Sequence, residues 1–222
     1  MKKGGGKMRK EEQLALMRET GVVAVIRIDD PEKVSPVFDA LLEGGVKCLE
    51  VTMTVPRAIQ VISEVAKRLP EGMLLGVGTV LDAQTARAAI LAGAEFVVSP
   101  ILDFETIRLC QRYDKAVVPG AFTPTEIVRA WEAGADMVKV FPASLGGPAY
   151  IKALRGPLPQ IPLVPTGGVS LENAGDYIRA GAEVLAVGGK LVDKKAVAEG
   201  RFDVIRDYAR KLIEAVAEAR RG

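Results

Sequence analysis

Lys139 stands in Met137-Val138-Lys139-Val140-Phe141, an otherwise apolar run short enough to be a buried strand. An ammonium is costly to bury there, so the position favours a neutral amine. A neutral lysine amine is a nucleophile towards carbonyl carbon, and the product is an imine. The chain has no histidine. Acid–base chemistry near neutral pH must then use carboxylates, lysine, hydroxyls or water. On this stretch alone a second reading stands beside the first: a lysine at a strand end whose amine reaches solvent.

Glu50 lies in a second such run, Cys48-Leu49-Glu50-Val51-Thr52. Alternation places Cys48, Glu50 and Thr52 on one face. The carboxylate is either a structural ion pair with Arg27 or Lys139, or a general acid/base beside the lysine. Buried ion pairs are weak devices for stability, which favours the second. Arg27 ends the first aliphatic run. Its fork can bind a substrate carboxylate, and its fixed charge can depress the pKa of a neighbouring lysine.

The elements that must position these groups repeat. Glu43-Gly44-Gly45-Val46, Ala92-Gly93-Ala94-Glu95, Ala133-Gly134-Ala135-Asp136 and Ala180-Gly181-Ala182-Glu183 each follow a helical pattern and precede an aliphatic run. A glycine there can close a helix in the left-handed conformation. Eight strands are expected, over 22–28, 46–52, 73–79, 96–99, 116–119, 137–141, 163–166 and 184–187. Helical patterns separate them, a closing helix runs over 202–220, and an additional helix over 11–19 precedes the first strand. The pattern predicts an α/β fold, a (β/α)8 TIM barrel with an extra N-terminal helix. An open doubly wound sheet ranks second, because no glycine-rich dinucleotide fingerprint follows the first strand.

In such a barrel the chemistry lies at the C-terminal strand ends. Those positions carry Arg27, Glu50, Thr79, Ser99, Pro119, Lys139, Thr166 and Gly188. Pro165-Thr166-Gly167-Gly168-Val169-Ser170 follows strand seven, and Val187-Gly188-Gly189-Lys190 follows strand eight. Glycine pairs at these two loops let backbone N–H groups approach a phosphate, and Lys190 adds a cation. No HExxH and no Ser–His–Asp set is possible without histidine, so no metal is expected.

Composition bounds the rest. The 222 residues are 49% hydrophobic and only 5% aromatic, which suits helices packed on a parallel sheet. A net charge of +2 gives no general affinity for nucleic acid or anionic lipid. Cys48 and Cys110 are scattered and read as reduced core thiols of a cytoplasmic protein. No apolar run is long enough to span a bilayer. Residues 1–10 are basic, glycine-rich and aperiodic, and are expected to be a flexible tail before a single barrel domain over 11–222.

Leu49-Glu50-Val51-Thr52, Gly76-Val77-Gly78-Thr79-Val80, Ser99-Pro100, Pro119-Gly120, Val138-Lys139-Val140-Phe141-Pro142-Ala143 and Pro165-Thr166-Gly167-Gly168 occur in one order along nearly the whole barrel. In this the chain resembles the 2-keto-3-deoxy-6-phosphogluconate (KDPG) and 4-hydroxy-2-oxoglutarate (KHG) aldolases, class I pyruvate aldolases of sugar-acid catabolism. The resemblance implies a Schiff base on Lys139, proton shuttling by Glu50 and Thr79 near the pyruvyl unit. It places phosphate at Gly167, Gly168, Gly188 and Gly189, and implies a homotrimer with no cofactor beyond the covalent imine. The expected partners are a phosphorylated 2-keto-3-deoxy sugar acid and pyruvate, as in the Entner–Doudoroff pathway.

The chain also departs from the family pattern. Thr54 stands where many members carry arginine, Ser144 where glutamate often follows Phe-Pro-Ala, and Lys190 where serine is common. Arg27 is then the candidate for the carboxylate-binding charge. The stretch through Gly147-Pro148-Ala149-Tyr150 also resembles 6-phosphogalactonate-type aldolases. Rival readings are a phosphate-binding barrel enzyme without an imine, and a non-catalytic barrel, natural or engineered, serving as an assembly subunit.

Overall fold

Every expected aliphatic run forms a strand in the computed structural model, which describes residues 8–221. The strands are β1 (Val22–Ile26), β2 (Cys48–Thr52), β3 (Leu74–Gly78), β4 (Phe96–Val98), β5 (Ala116–Val118), β6 (Gly120–Ala121), β7 (Val138–Val140), β8 (Leu163–Pro165) and β9 (Leu185–Val187). Pro119 has no N–H to give the ladder and divides the fifth stave into β5 and β6. All pairings are parallel, in the orders β5-β4-β3-β2-β1-β9 and β6-β7-β8. Two seams join these sheets. Lys139 N–H donates to Pro119 O (2.9 Å) and Glu183 N–H to Leu163 O (2.9 Å). A bridge pairs Thr166 with Ala186 beside the second seam. The ring is thereby closed as the expected barrel.

Alternation sorts the strand side chains into two cores. Val23, Val25, Cys48, Phe96, Met137 and Val164 fill the barrel interior. Ala24, Leu49, Val51, Val77 and Val140 face outward and pack under the helices. Burial on both faces explains why the strands read as unbroken aliphatic runs, each such side chain contributing about 1.5–3 kcal/mol.

The helices are α1 (Lys10–Thr20), α2 (Val34–Glu43), α3 (Ala58–Arg68), α4 (Ala83–Ala92), α5 (Phe104–Arg112), α6 (Pro124–Glu132), α7 (Gly147–Arg155), α8 (Ala174–Arg179), α9 (Lys194–Ala198) and α10 (Phe202–Ala219). Asp82, Asp103 and Thr123 cap α4, α5 and α6 through their side chains. Two short pieces were not expected: α9, and the 3-10 turn Ala143–Leu145. Neither is long enough to show a helical period.

The repeated joints do more than end helices. Gly45, Gly93, Gly134 and Gly181 all have left-handed φ, between 92° and 120°. Two residues after each comes a polar side chain that meets α1. Lys47 Nζ pairs with Glu19 (3.1 Å), Asp136 with Lys10 Nζ (3.1 Å) and Glu183 with Arg18 (3.2 Å). Glu95 Oε2 accepts from Gln13 Nε2 (3.1 Å). Helix α1 therefore closes the N-terminal end of the barrel, with Met17 as its plug. Here the expected tail boundary needs correction. Met8 O accepts from Gln13 Nε2 (2.8 Å) and Lys10 begins α1, so residues 8–10 belong to the barrel body. The remainder of the expected tail, residues 1–7, lies outside the described residues.

Candidate active site

Lys139 is central in β7, opposite Gly120 on one side and Val164 on the other. Strand alternation turns it inward with Met137, and it is only 4% exposed. Burial lowers its pKa; Glu50 opposes that shift and Arg27 adds to it. Its Nζ lies 4.9 Å from the centroid of the Phe141 ring, two residues along on the same face. Glu50 is held in β2 between Val25 of β1 and Gly76 of β3, and is 1% exposed. Burial raises its pKa, with Lys139 and Arg27 pulling the other way. Neither Oε1 nor Oε2 has a protein hydrogen-bond partner. One barrel interior thus drives an amine and a carboxyl towards their uncharged forms.

A cleft of about 630 Å³ opens at the C-terminal strand ends. Lys139, Arg27 and Thr166 line it, and so do the glycine pairs Gly167-Gly168 and Gly188-Gly189 together with Lys190. Glu50 and Thr79 do not form its wall. Glu50 acts on it from below through its field on Lys139. Thr79 is tied in through Arg27, whose Nη2 donates to Thr79 Oγ1 (3.3 Å). Gly167 and Gly168 have φ of 89° and 78°, a region that disfavours side chains. The N–H groups of Gly167, Gly168, Gly189 and Lys190 find no acceptor among the described residues. Four free donors beside an exposed lysine make an anion cradle.

Phe141, Asp193 and Lys194 are among the further residues that line this cleft. Phe141 was recoverable from the alternation Lys139-Val140-Phe141. Asp193 caps the unforeseen α9 and Lys194 begins it: Asp193 Oδ1 accepts from Ala196 N–H (2.7 Å), and Lys194 Nζ pairs with Asp29 (3.0 Å).

A model of the family "KDPG and KHG aldolase" matches residues 14–208. The chain belongs to this family. A 2-dehydro-3-deoxy-phosphogluconate aldolase of Pseudomonas aeruginosa is 39% identical over 208 residues, covering 93% of this chain and 94% of the relative. A structure described as native KDPGal superposes with a TM-score of 0.84 at 31% identity, covering 90% of this chain and 96% of that one. The KDPG aldolase of Legionella pneumophila, with pyruvate captured as a covalent carbinolamine, gives 0.84 at 28% identity, covering 93% and 99%. Against the pattern of this aldolase family, Thr54 turns its hydroxyl to that of Thr52 (2.8 Å), whereas Arg27 lines the cleft. Ser144 packs against Gly168, where an added Cβ would come within 2.6 Å of the serine Cβ.

Proposed function

We propose that the chain is a class I aldolase that cleaves 2-keto-3-deoxy-6-phosphogluconate to pyruvate and glyceraldehyde 3-phosphate. The observation that carries this reading is the buried Lys139 amine, driven towards neutrality beside a buried carboxyl that no protein group holds. The Lys139 amine adds to the C2 ketone, and loss of water gives an iminium. Glu50, directly or through water, moves the protons of both steps. Removal of the C4 hydroxyl proton breaks the C3–C4 bond, and the bonding pair flows into the iminium. The aldehyde leaves, an enamine remains, and protonation at C3 followed by hydrolysis releases pyruvate and the free amine. The imine is the electron sink, so the cycle needs no metal or organic cofactor. Arg27 takes the substrate carboxylate, Thr79 and Thr166 offer hydroxyls to the pyruvyl unit, and the glycine amides with Lys190 take the phosphate. The pyruvate carbinolamine of the Legionella relative supports the imine step.

Borohydride added with pyruvate should trap the chain irreversibly at Lys139, and Lys139→Ala should abolish trapping. Label on another lysine would remove Lys139 from the mechanism. Glu50→Gln should keep pyruvate binding and slow turnover at least about 10-fold, the lower end of what acid–base assistance supplies. The structural likeness to native KDPGal favours a second substrate, the phosphogalactonate epimer. Aldehyde release compared across the gluco and galacto acids, and across phosphorylated and unphosphorylated acids, ranks them. We further propose a cytoplasmic homotrimer. Exposed Leu81, Ile101 and Leu145 on loops at the barrel mouth offer such an assembly apolar surface to bury, and light scattering tests it. No helix among the described residues is long and apolar enough to cross a membrane.

A further inference from the structure

We infer that Gly78 is a positioning residue for Glu50: the absence of its side chain forms the slot in which the catalytic carboxyl lies. The inference rests on the aldolase reading above for its kinetic part only. In the β2–β3 register Glu50 faces Gly76 and Thr52 faces Gly78, so Gly78 stands diagonally towards the mouth from Glu50. A Cβ at Gly78 would lie 1.6 Å from Glu50 Oε1, 2.4 Å from Cδ and 2.8 Å from Cγ. All three atoms belong to the working end of one side chain. The backbone does not explain the glycine, because Gly78 is not among the glycines of positive φ. A β-strand position of ordinary conformation accepts alanine, and alanine there usually stabilises. Nor do hydrogen bonds fix the carboxyl, since both its oxygens lack protein partners. Shape is what remains to hold it. Gly76, two residues earlier, differs: its missing Cβ makes room for the Phe96 ring at 2.4 Å, which is packing inside the barrel. One Gly-x-Gly run thus serves the core with its first glycine and the chemistry with its second.

The test uses the full chain with Gly78→Ala, Glu50→Asp, Glu50→Ala and the two double variants. Gly78→Ala should lower kcat about 100-fold, as loss of a placed acid/base does, while borohydride still traps pyruvate on Lys139. Glu50→Asp, one methylene shorter, should be slow by itself. Combined with Gly78→Ala it should recover at least about 10-fold over Gly78→Ala alone, within the range acid–base assistance supplies. Urea midpoints supply the arm that needs no turnover. Gly78→Ala should destabilise the chain when Glu50 is present and become neutral or stabilising in the Glu50→Ala background. Unchanged kcat in Gly78→Ala, additive losses with Glu50→Asp, or an equal folding penalty with and without the Glu50 side chain each overturn the inference. So does a Gly78→Ala/Glu50→Ala chain that cannot fold. A wild-type chain that cleaves no aldol substrate sinks the proposed function, yet the urea cycle still reads the slot.

Discussion

The two ends of this barrel each bury a glutamate and a lysine, and they treat them in opposite ways. At the N-terminal end Lys115 Nζ donates to Glu95 Oε2 at 2.5 Å, and the same oxygen accepts from Gln13 Nε2. Gln13 in turn accepts from Ala116 N–H (3.0 Å), so these buried groups answer one another. At the mouth Glu50 and Lys139 form no ion pair, and the Glu50 oxygens have no protein partner. Residue type and burial are alike at both ends; completeness of pairing is not. A satisfied buried pair is a structural device, whereas an unsatisfied one keeps its proton affinity and nucleophilicity available.

Exchanging the roles of the lysines breaks that comparison most severely. Lys115→Met strands the Glu95 carboxylate in a protein interior. It should cost about 3–5 kcal/mol of stability while leaving kcat unchanged below the melting transition. Lys139→Met should do the reverse: no turnover and no trapping, with a more stable chain. The sign follows from the depressed pKa of Lys139. A lysine with a lowered folded-state pKa stabilises above its ordinary value of 10.5 and destabilises as pH falls through its folded value. Lys139→Met escapes that penalty, so its advantage should be absent above the ordinary lysine value of 10.5 and grow as pH falls below it. Each kcal/mol recovered should appear as about 2–4 °C in Tm. A Lys139→Met chain less stable than wild type at pH 7, or a Lys115→Met chain that loses turnover while folded, would erase the distinction between the two ends.

How much of this was legible in the sequence follows the same divide. At the mouth, Lys139 and Glu50 announced themselves as charges in aliphatic strands, and the glycine pairs marked the two loops. Period-2 alternation was enough to place them, because a strand fixes which way each side chain points. The N-terminal end was half legible. The joints showed that helices stop and strands begin there, but not that Lys47, Glu95, Asp136 and Glu183 would all meet α1. That depends on where a separate helix docks, which no local pattern encodes. Gly78 was hidden for a related reason. Its purpose is set by a carboxyl on the neighbouring strand, and only the inter-strand register brings the two together. Helix α9 escaped because five residues carry no period, and Lys194 escaped with it.

Arg27 offers the smallest perturbation and the sharpest test of the contrast between ends. Its charge lowers the pKa of both Lys139 and Glu50, and it is the last of the causes for each. Removing it in Arg27→Gln should therefore move both groups upward, and both limbs of the pH profile of kcat/KM should shift to higher pH together. Arg27→Lys keeps the positive charge but loses the two-pronged fork, so its profile should stay in place while KM rises. Lys10 is the matching cation at the other end, paired with Asp136 at 3.1 Å. Lys10→Gln should change stability by no more than about 1 kcal/mol and leave the profile untouched. Limbs that move in opposite directions in Arg27→Gln would mean that the field of Arg27 does not reach both groups. A profile that also moves in Lys10→Gln would mean that the two ends are electrically one site, and the paired and unpaired lysines would then need a common explanation.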